Sequence, residues 1–132
     1  MFRVERNLQN HKKANIHMIK KNSDNASIQD FTKLNIVLGT ILEAFQNEKA
    51  KKPAYILKID FGKKIGIKST SAQITNYSVD QLIGRQIVGI CNLPSKNIAG
   101  FVSEVLVLGA VLEEEVHLLR TDDKLENGTL IG

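Results

Sequence analysis

Cysteine is nearly absent: Cys91 is the single thiol in 132 residues. One thiol excludes an intrachain disulfide and any multi-cysteine metal site, and it favours a reducing, cytoplasmic setting. Long apolar runs are also lacking. None approaches the ~20 residues that a bilayer requires, so no membrane insertion is expected. The start, MFRVERNLQN, has no apolar core of the kind a secretory signal carries. Without a secretory route, the three Asn-x-Ser/Thr triplets at Asn25, Asn76 and Asn127 are expected to be chance matches. Histidine occurs three times, at His11, His17 and His117, with no spacing that supplies a zinc site. No G-x-S-x-G elbow is present, and Gly62–Gly66 (GKKIG) has the wrong order for a phosphate loop. Cys91 sits among apolar residues, which suits a small buried hydrophobe better than a nucleophile. His117, next to an acidic triplet, reads as a surface or half-buried strand residue. No catalytic constellation emerges, no enzyme is expected, and neither a metal nor a cofactor is called for.

Charge is present but unevenly placed. The net +4 comes from residues 1–22, with six Lys/Arg against one acid; residues 23–132 hold twelve against thirteen, a net of −1. Between positions 49 and 68, seven lysines (Lys49, Lys51, Lys52, Lys58, Lys63, Lys64 and Lys68) face only Asp60. Farther on, Glu113, Glu114, Glu115, Asp122, Asp123 and Glu126 outweigh Arg120 and Lys124. Such polarity can steer an anionic partner to one face, or it can simply solvate a surface. Residues 1–26, polar and weakly periodic, read as a basic leader, either a loose arm or an upstream extension with Met18 as the functional start. Residues 27–132 are the expected folded domain.

Within that domain, SIQDFTKLN opens on Ser27 with Asp30 three residues on, a capping-box pattern for a short helix. NIVLGTILEAF is a first strand, with Gly39 expected to mark a bend or bulge. KKPAYILKIDFGKKIGIKS reads as a hairpin in which Tyr55, Leu57 and Ile59 alternate with Ile56, Lys58 and Asp60. STSAQITNYSVDQLIG has little strand character; Ser78 and Gln81 predict another helix cap, and Gly84 its stop. RQIVGICNL and SEVLVLGAV are two further strands, EEEVHLLR can add one, and Asn127-Gly128 predicts a turn. About five short strands, with a helix between the third and fourth, is the element order of an all-β OB-fold, a five-stranded Greek-key barrel with short flanking helices.

Two clusters leave alternatives open. Lys68–Thr75 (KSTSAQIT) gathers four hydroxyls, a lysine and a glutamine, which can receive phosphate or peptide groups or merely cap a helix. Ser103 and Glu104 sit inside an apolar strand where one must face outward. A buried Glu104 needs a partner, such as a lysine across the barrel, and ligand contact is the competing role.

Taken together, KKPAYILKIDFG, IGIKSTSAQIT, LIGRQIVGICNLPSKNIAGFVSEVLVLGA and LENGTLI resemble the CsaA family of secretion-associated chaperones, from about Phe31 to Gly132. That family belongs to a wider group of tRNA-binding OB-folds. The resemblance implies a homodimer that binds unfolded, export-bound polypeptides, contact with the secretion motor ATPase, and structure-specific binding of tRNA as the alternative function. It also implies a binding face that includes Lys68, Ser69, Ser71, Asn92, Leu93, Lys96, Asn97, Ile98, Phe101 and Ser103. Lys51, Lys52, Lys63 and Lys64 are the phosphate-contacting candidates. Departures from the family pattern bear on the ligand: Leu93 stands where an aromatic is usual, Ser95 for a proline, Lys96 and Asn97 for arginines, Val102 for a lysine and Val37 for an arginine. Stacking is worth about 1–3 kcal/mol per base, and phosphate contacts dominate nucleic-acid affinity. Both terms fall here, which tilts the expected ligand from RNA toward polypeptide.

Overall fold

The structure is a computed structural model that describes residues 25–98 and 100–132, with Ile98 described through its backbone. The expected leader, with His11, His17 and Met18, lies almost wholly outside the described residues. Two compact units divide between Lys33 and Leu34. In the first, α1 (Ile28–Thr32) starts as its sequence predicts: Asp30 N–H donates to Ser27 Oγ (3.2 Å) and Ser27 N–H donates to the Asp30 carboxylate (2.9 Å).

The second unit is a β-barrel. Its main sheet comprises β1 (Ile36–Gln46), β2 (Tyr55–Asp60), β3 (Ile67–Ala72), β4 (Gln86–Ile90) and β7 (Leu106–Val107), in the order β3-β2-β1-β4-β7 with antiparallel neighbours. Two hairpins complete it: β5 (Lys96–Ile98) with β6 (Phe101–Ser103), and β8 (Gly109–Leu112) with β9 (Glu115–Leu118). A short helix, α2 (Val79–Leu82), lies between β3 and β4, as the OB-fold order requires. Its capping box joins Ser78 and Gln81 as expected, and Gly84 follows with a positive φ of 84°.

Strand β1 serves two neighbours. Ile36 to Thr40 pair with β4, and Thr40 to Gln46 pair with β2. The bulge falls at Leu42, where the register shifts between Ile41 and Glu43, not at Gly39 as expected. Gly39 instead answers a close approach: a Cβ there would stand 2.5 Å from Phe61 Cδ1 and 2.8 Å from Ile59 Cγ2. Where β2 stops, the C-terminal segment takes its place beside β1. Leu38 N–H donates to Thr129 C=O (3.0 Å), Gly128 N–H to Leu38 C=O (2.7 Å) and Ile131 N–H to Ile36 C=O (2.8 Å). The Asn127 carboxamide oxygen accepts from Thr40 Oγ1 (2.7 Å) and Gln86 Nε2 (3.0 Å), anchoring the expected Asn-Gly turn.

The core lies inside this wall. Leu38, Ile41, Leu57, Ile59, Phe61, Ile74, Leu82, Ile87 and Val105 have no exposed surface. Alternation in β2 matches the sequence pattern, with Tyr55, Leu57 and Ile59 inward and Lys58 outward. Two expectations are corrected. Ser69–Ala72 belong to strand β3, so these hydroxyls do not cap a helix. The SEVLVLGAV run is not one strand but the end of β6, then β7, then the start of β8.

Candidate functional site

Barrel closure depends on the polar residues singled out in the sequence. Strand β3 meets the Ser103–Val105 segment along a seam. Ser71 N–H donates to Ser103 Oγ (3.0 Å), and Thr70 Oγ1 donates to Val105 C=O (2.8 Å). Glu104 N–H donates to Ser69 C=O (2.9 Å), and Ser69 N–H returns to Glu104 Oε1 (3.1 Å). The other carboxylate oxygen lies 3.9 Å from Lys68 Nζ, so Glu104 does receive a lysine across the barrel. Ser103 and Thr70 are fully buried and Ser71 nearly so. The Ser103 and Thr70 hydroxyls satisfy backbone groups that would otherwise cost about 1–3 kcal/mol each when buried without a partner. Such placements explain why a strand can consist of Lys-Ser-Thr-Ser.

One turn farther out, the chain forms a lip. The β5–β6 ladder sets Lys96 opposite Ser103, Asn97 opposite Val102 and Ile98 opposite Phe101. Lys96 and Asn97 are exposed, Val102 is 49% exposed, and Phe101 is half-buried. At the foot of the lip, Asn92 Oδ1 accepts from Asn35 N–H (2.7 Å), and half-buried Leu93 packs on the core. Cys91, just before them, has its thiol pushed up to about 11 from 9.0, first by burial and against a smaller opposing pull from Lys68.

Asn47 ties a second element to this lip. It is buried at the end of β1, and its Nδ2 donates to Ser71 Oγ (3.0 Å), while its Oδ1 accepts from Lys49 N–H (3.3 Å). The turn carrying exposed Lys49, Lys51 and Lys52 is thereby fixed at the same end of the barrel as Ser71, Ser103 and Lys96. Lys63 and Lys64 lie in the β2–β3 turn, at the opposite end of the six-residue β2. At about 3.3 Å per residue, roughly 20 Å of strand separates the two lysine pairs. The structure thus divides the sequence candidates into three groups. Ser69, Ser71, Ser103 and Lys68 belong to the seam. Asn92, Leu93, Lys96, Asn97, Ile98 and Phe101 form the lip, and Lys51 and Lys52 lie in a turn at the same end of the barrel. Lys63 and Lys64 stand apart. Sequence reasoning missed Asn47, because nothing local distinguishes a buried asparagine from an ordinary turn residue.

Residues 36–130 match the family described as "Putative tRNA binding domain", so the chain belongs to that family of tRNA-binding-type domains. Within it, the chain belongs to the CsaA family. It is similar to the CsaA chaperone of Bacillus anthracis, with 46% identity and a TM-score of 0.78 over 82% of this chain and 99% of that one. It is also similar to the CsaA chaperone of Picrophilus torridus, with 48% identity and a TM-score of 0.78 over 82% of this chain and all of the other (100%). Among curated proteins it resembles a methionine–tRNA ligase of Methanococcus vannielii, 32% identical over 109 residues. That match takes in 79% of this chain, and the chain spans only 15% of the ligase's length. Among the described residues, no helix is long and apolar enough to cross a membrane.

Proposed function

We propose that this chain is a cytoplasmic chaperone that binds unfolded, export-bound polypeptides as a homodimer, without catalysing a reaction. One observation carries the reading: the lip from Asn92 to Val102 offers Leu93, Phe101 and half-exposed Val102 with a single cation, Lys96. An apolar lip with little charge suits side chains of an unfolded polypeptide and lacks the basic character that nucleic acid demands. Similarity to two CsaA chaperones supports the same reading. In the dimer, the lips of two copies would edge one client groove, and the secretion motor ATPase would receive the client. The test is aggregation of a chemically unfolded protein in the presence of the full chain. Suppression at a severalfold molar excess is expected, and Val102→Asp should lower it severalfold without unfolding the barrel. A chain that neither suppresses aggregation nor binds peptide sinks the reading. Light scattering should give a dimer mass at micromolar concentration.

Binding of tRNA is the second reading, favoured by the family match and by Lys49, Lys51 and Lys52 beside the lip. With no arginine between Lys49 and Ile98 except Arg85, bidentate phosphate contacts are scarce, so tRNA affinity should be weak at physiological salt.

A further inference from the structure

The only Asn-Gly pair in the sequence, Asn127-Gly128, lies in the turn that lays the C-terminal segment along β1. Asn-Gly is the dipeptide most prone to deamidation, because glycine leaves its amide nitrogen open to attack the asparagine side chain. Here the electrophile is poised. Thr40 Oγ1 (2.7 Å) and Gln86 Nε2 (3.0 Å) both donate to the Asn127 carboxamide oxygen. Two donors on that oxygen stabilise the negative charge that develops there during attack. The nucleophile is withheld. Gly128 N–H donates to Leu38 C=O at 2.7 Å. The residues that follow are clamped by Leu38 N–H on Thr129 C=O and by Ile131 N–H on Ile36 C=O. Little room is left for movement. A Cβ on Gly128 would stand 2.8 Å from the Phe61 carbonyl oxygen, and one on Gly62 would stand 2.6 Å from that of Asn127.

We propose that Asn127 is a modification site, whose deamidation records opening of the C-terminal latch and then fixes it open. When the segment lifts from β1, the Gly128 nitrogen loses its proton to hydroxide and bonds to Asn127 Cγ. The Cγ–Nδ2 bond breaks, ammonia leaves, and a cyclic succinimide remains. Water then opens one or the other of its carbonyls, giving aspartate or isoaspartate. The two products differ in consequence. Aspartate keeps an acceptor facing Thr40 and Gln86, so the latch recloses. Isoaspartate routes the main chain through the former side-chain carbons, which inserts a methylene into a turn packed on Phe61 and Gly62. Gly128 N–H then no longer meets Leu38 C=O, and the Ile36–Leu38 edge of β1 loses the segment that covers it. The inference is independent of the polypeptide reading, which places clients on the lip.

Peptide mapping that separates aspartate from isoaspartate tests the proposal on the full chain at mildly alkaline pH. The references are the free peptide LENGTLI and the urea-unfolded chain. The folded chain should deamidate at Asn127 about 100-fold more slowly than either, the scale expected when several hydrogen bonds must open together. Ile131→Ala loosens the latch at a half-buried side chain that takes no part in the chemistry, and it should raise the folded-state rate severalfold. Circular dichroism verifies that this variant stays folded. Hydrogen exchange on the purified isoaspartyl chain should show lost protection at the Leu38 and Ile131 amides, whereas Asn127→Asp should keep it. A folded chain that deamidates as fast as the peptide overturns the gating. An isoaspartyl chain whose Leu38 and Ile131 amides stay as protected as in the wild type overturns the switch.

Discussion

Across one three-residue ladder, two neighbouring positions of the same motif do opposite things. Ser103 on β6 has no exposed surface and accepts a hydrogen bond from Ser71 N–H, whereas Lys96, its register partner on β5, is exposed. Both belong to the stretch that most clearly marks the family. A residue typical of a ligand-binding domain can therefore serve the ligand only through the fold. Ser71, Ser103, Thr70 and Glu104 close the barrel, and the closed barrel holds the lip. In the lip, Lys96, Asn97 and Val102 present their side chains to solvent.

This contrast can be broken most forcefully at its buried member. Ser103→Ala removes the acceptor of Ser71 N–H and leaves a buried donor unpaired, with an expected loss of about 1–3 kcal/mol. Lys96→Ala, directly opposite on the ladder, should stay within about 0.5 kcal/mol. Urea unfolding checks both: the midpoint should fall for the serine variant alone, with m unchanged. Equal losses would mean that the lip and the seam form one cooperative structural element. A smaller effect is expected at Thr70→Val, which keeps the shape but removes the donor to Val105 C=O. That change should cost about 1 kcal/mol in the same measurement.

These pairs also explain which parts of the structure were legible in the sequence. Both capping boxes were readable because Ser27–Asp30 and Ser78–Gln81 are closed three residues apart. Alternation in β2 was readable because period two assigns faces without knowledge of the partner strand. Ser69–Ala72 were not readable as a strand. Their ladder depends on β2 and on Ser103, Glu104 and Val105, more than thirty residues ahead, and hydroxyl side chains leave no apolar signal. Gly39 was misassigned for a similar reason, since what forbids a Cβ there is Phe61, reached only when β1 and β2 wrap the core. The lysine count between 49 and 68 was correct as a count but silent on topology. Only the strand directions separate Lys51 and Lys52 from Lys63 and Lys64. For the candidate site, the sequence supplied the members of lip and seam together and no means of telling them apart, because burial is a property of closure.

Cys91 stands where the core ends and the lip begins, and its thiol tests which side it joins. Burial raises its pKa to about 11 from 9.0, so the folded state holds the proton more tightly than the unfolded state. The stabilising contribution is therefore complete below pH 9.0 and is lost as pH rises toward 11. The difference in urea midpoint between the wild type and Cys91→Ala should shrink from pH 8 to pH 10.5. Alkylation at pH 7.5 should run about 100-fold slower than in the urea-unfolded chain, from thiolate fraction alone. Equal rates would place the foot of the lip in solvent.

The smallest effect should come from the one ion pair in the seam. Lys68 and Glu104 stand 3.9 Å apart with side chains 32% and 39% exposed, so solvent screens their attraction to a few tenths of a kcal/mol. Glu104 does more through its other oxygen, which accepts from Ser69 N–H at 3.1 Å. Glu104→Gln keeps an acceptor there and deletes the charge, whereas Glu104→Ala deletes both. Unfolding should report a change within about 0.5 kcal/mol for the glutamine and about 1–2 kcal/mol for the alanine. If the glutamine variant were as damaged as the alanine variant, charge would hold the seam, and Lys68 would have to be counted with Ser71 and Ser103 as a closing residue. If it is not, Lys68 is the one seam side chain whose charge is free to act on a ligand at the lip without loosening the barrel beneath it.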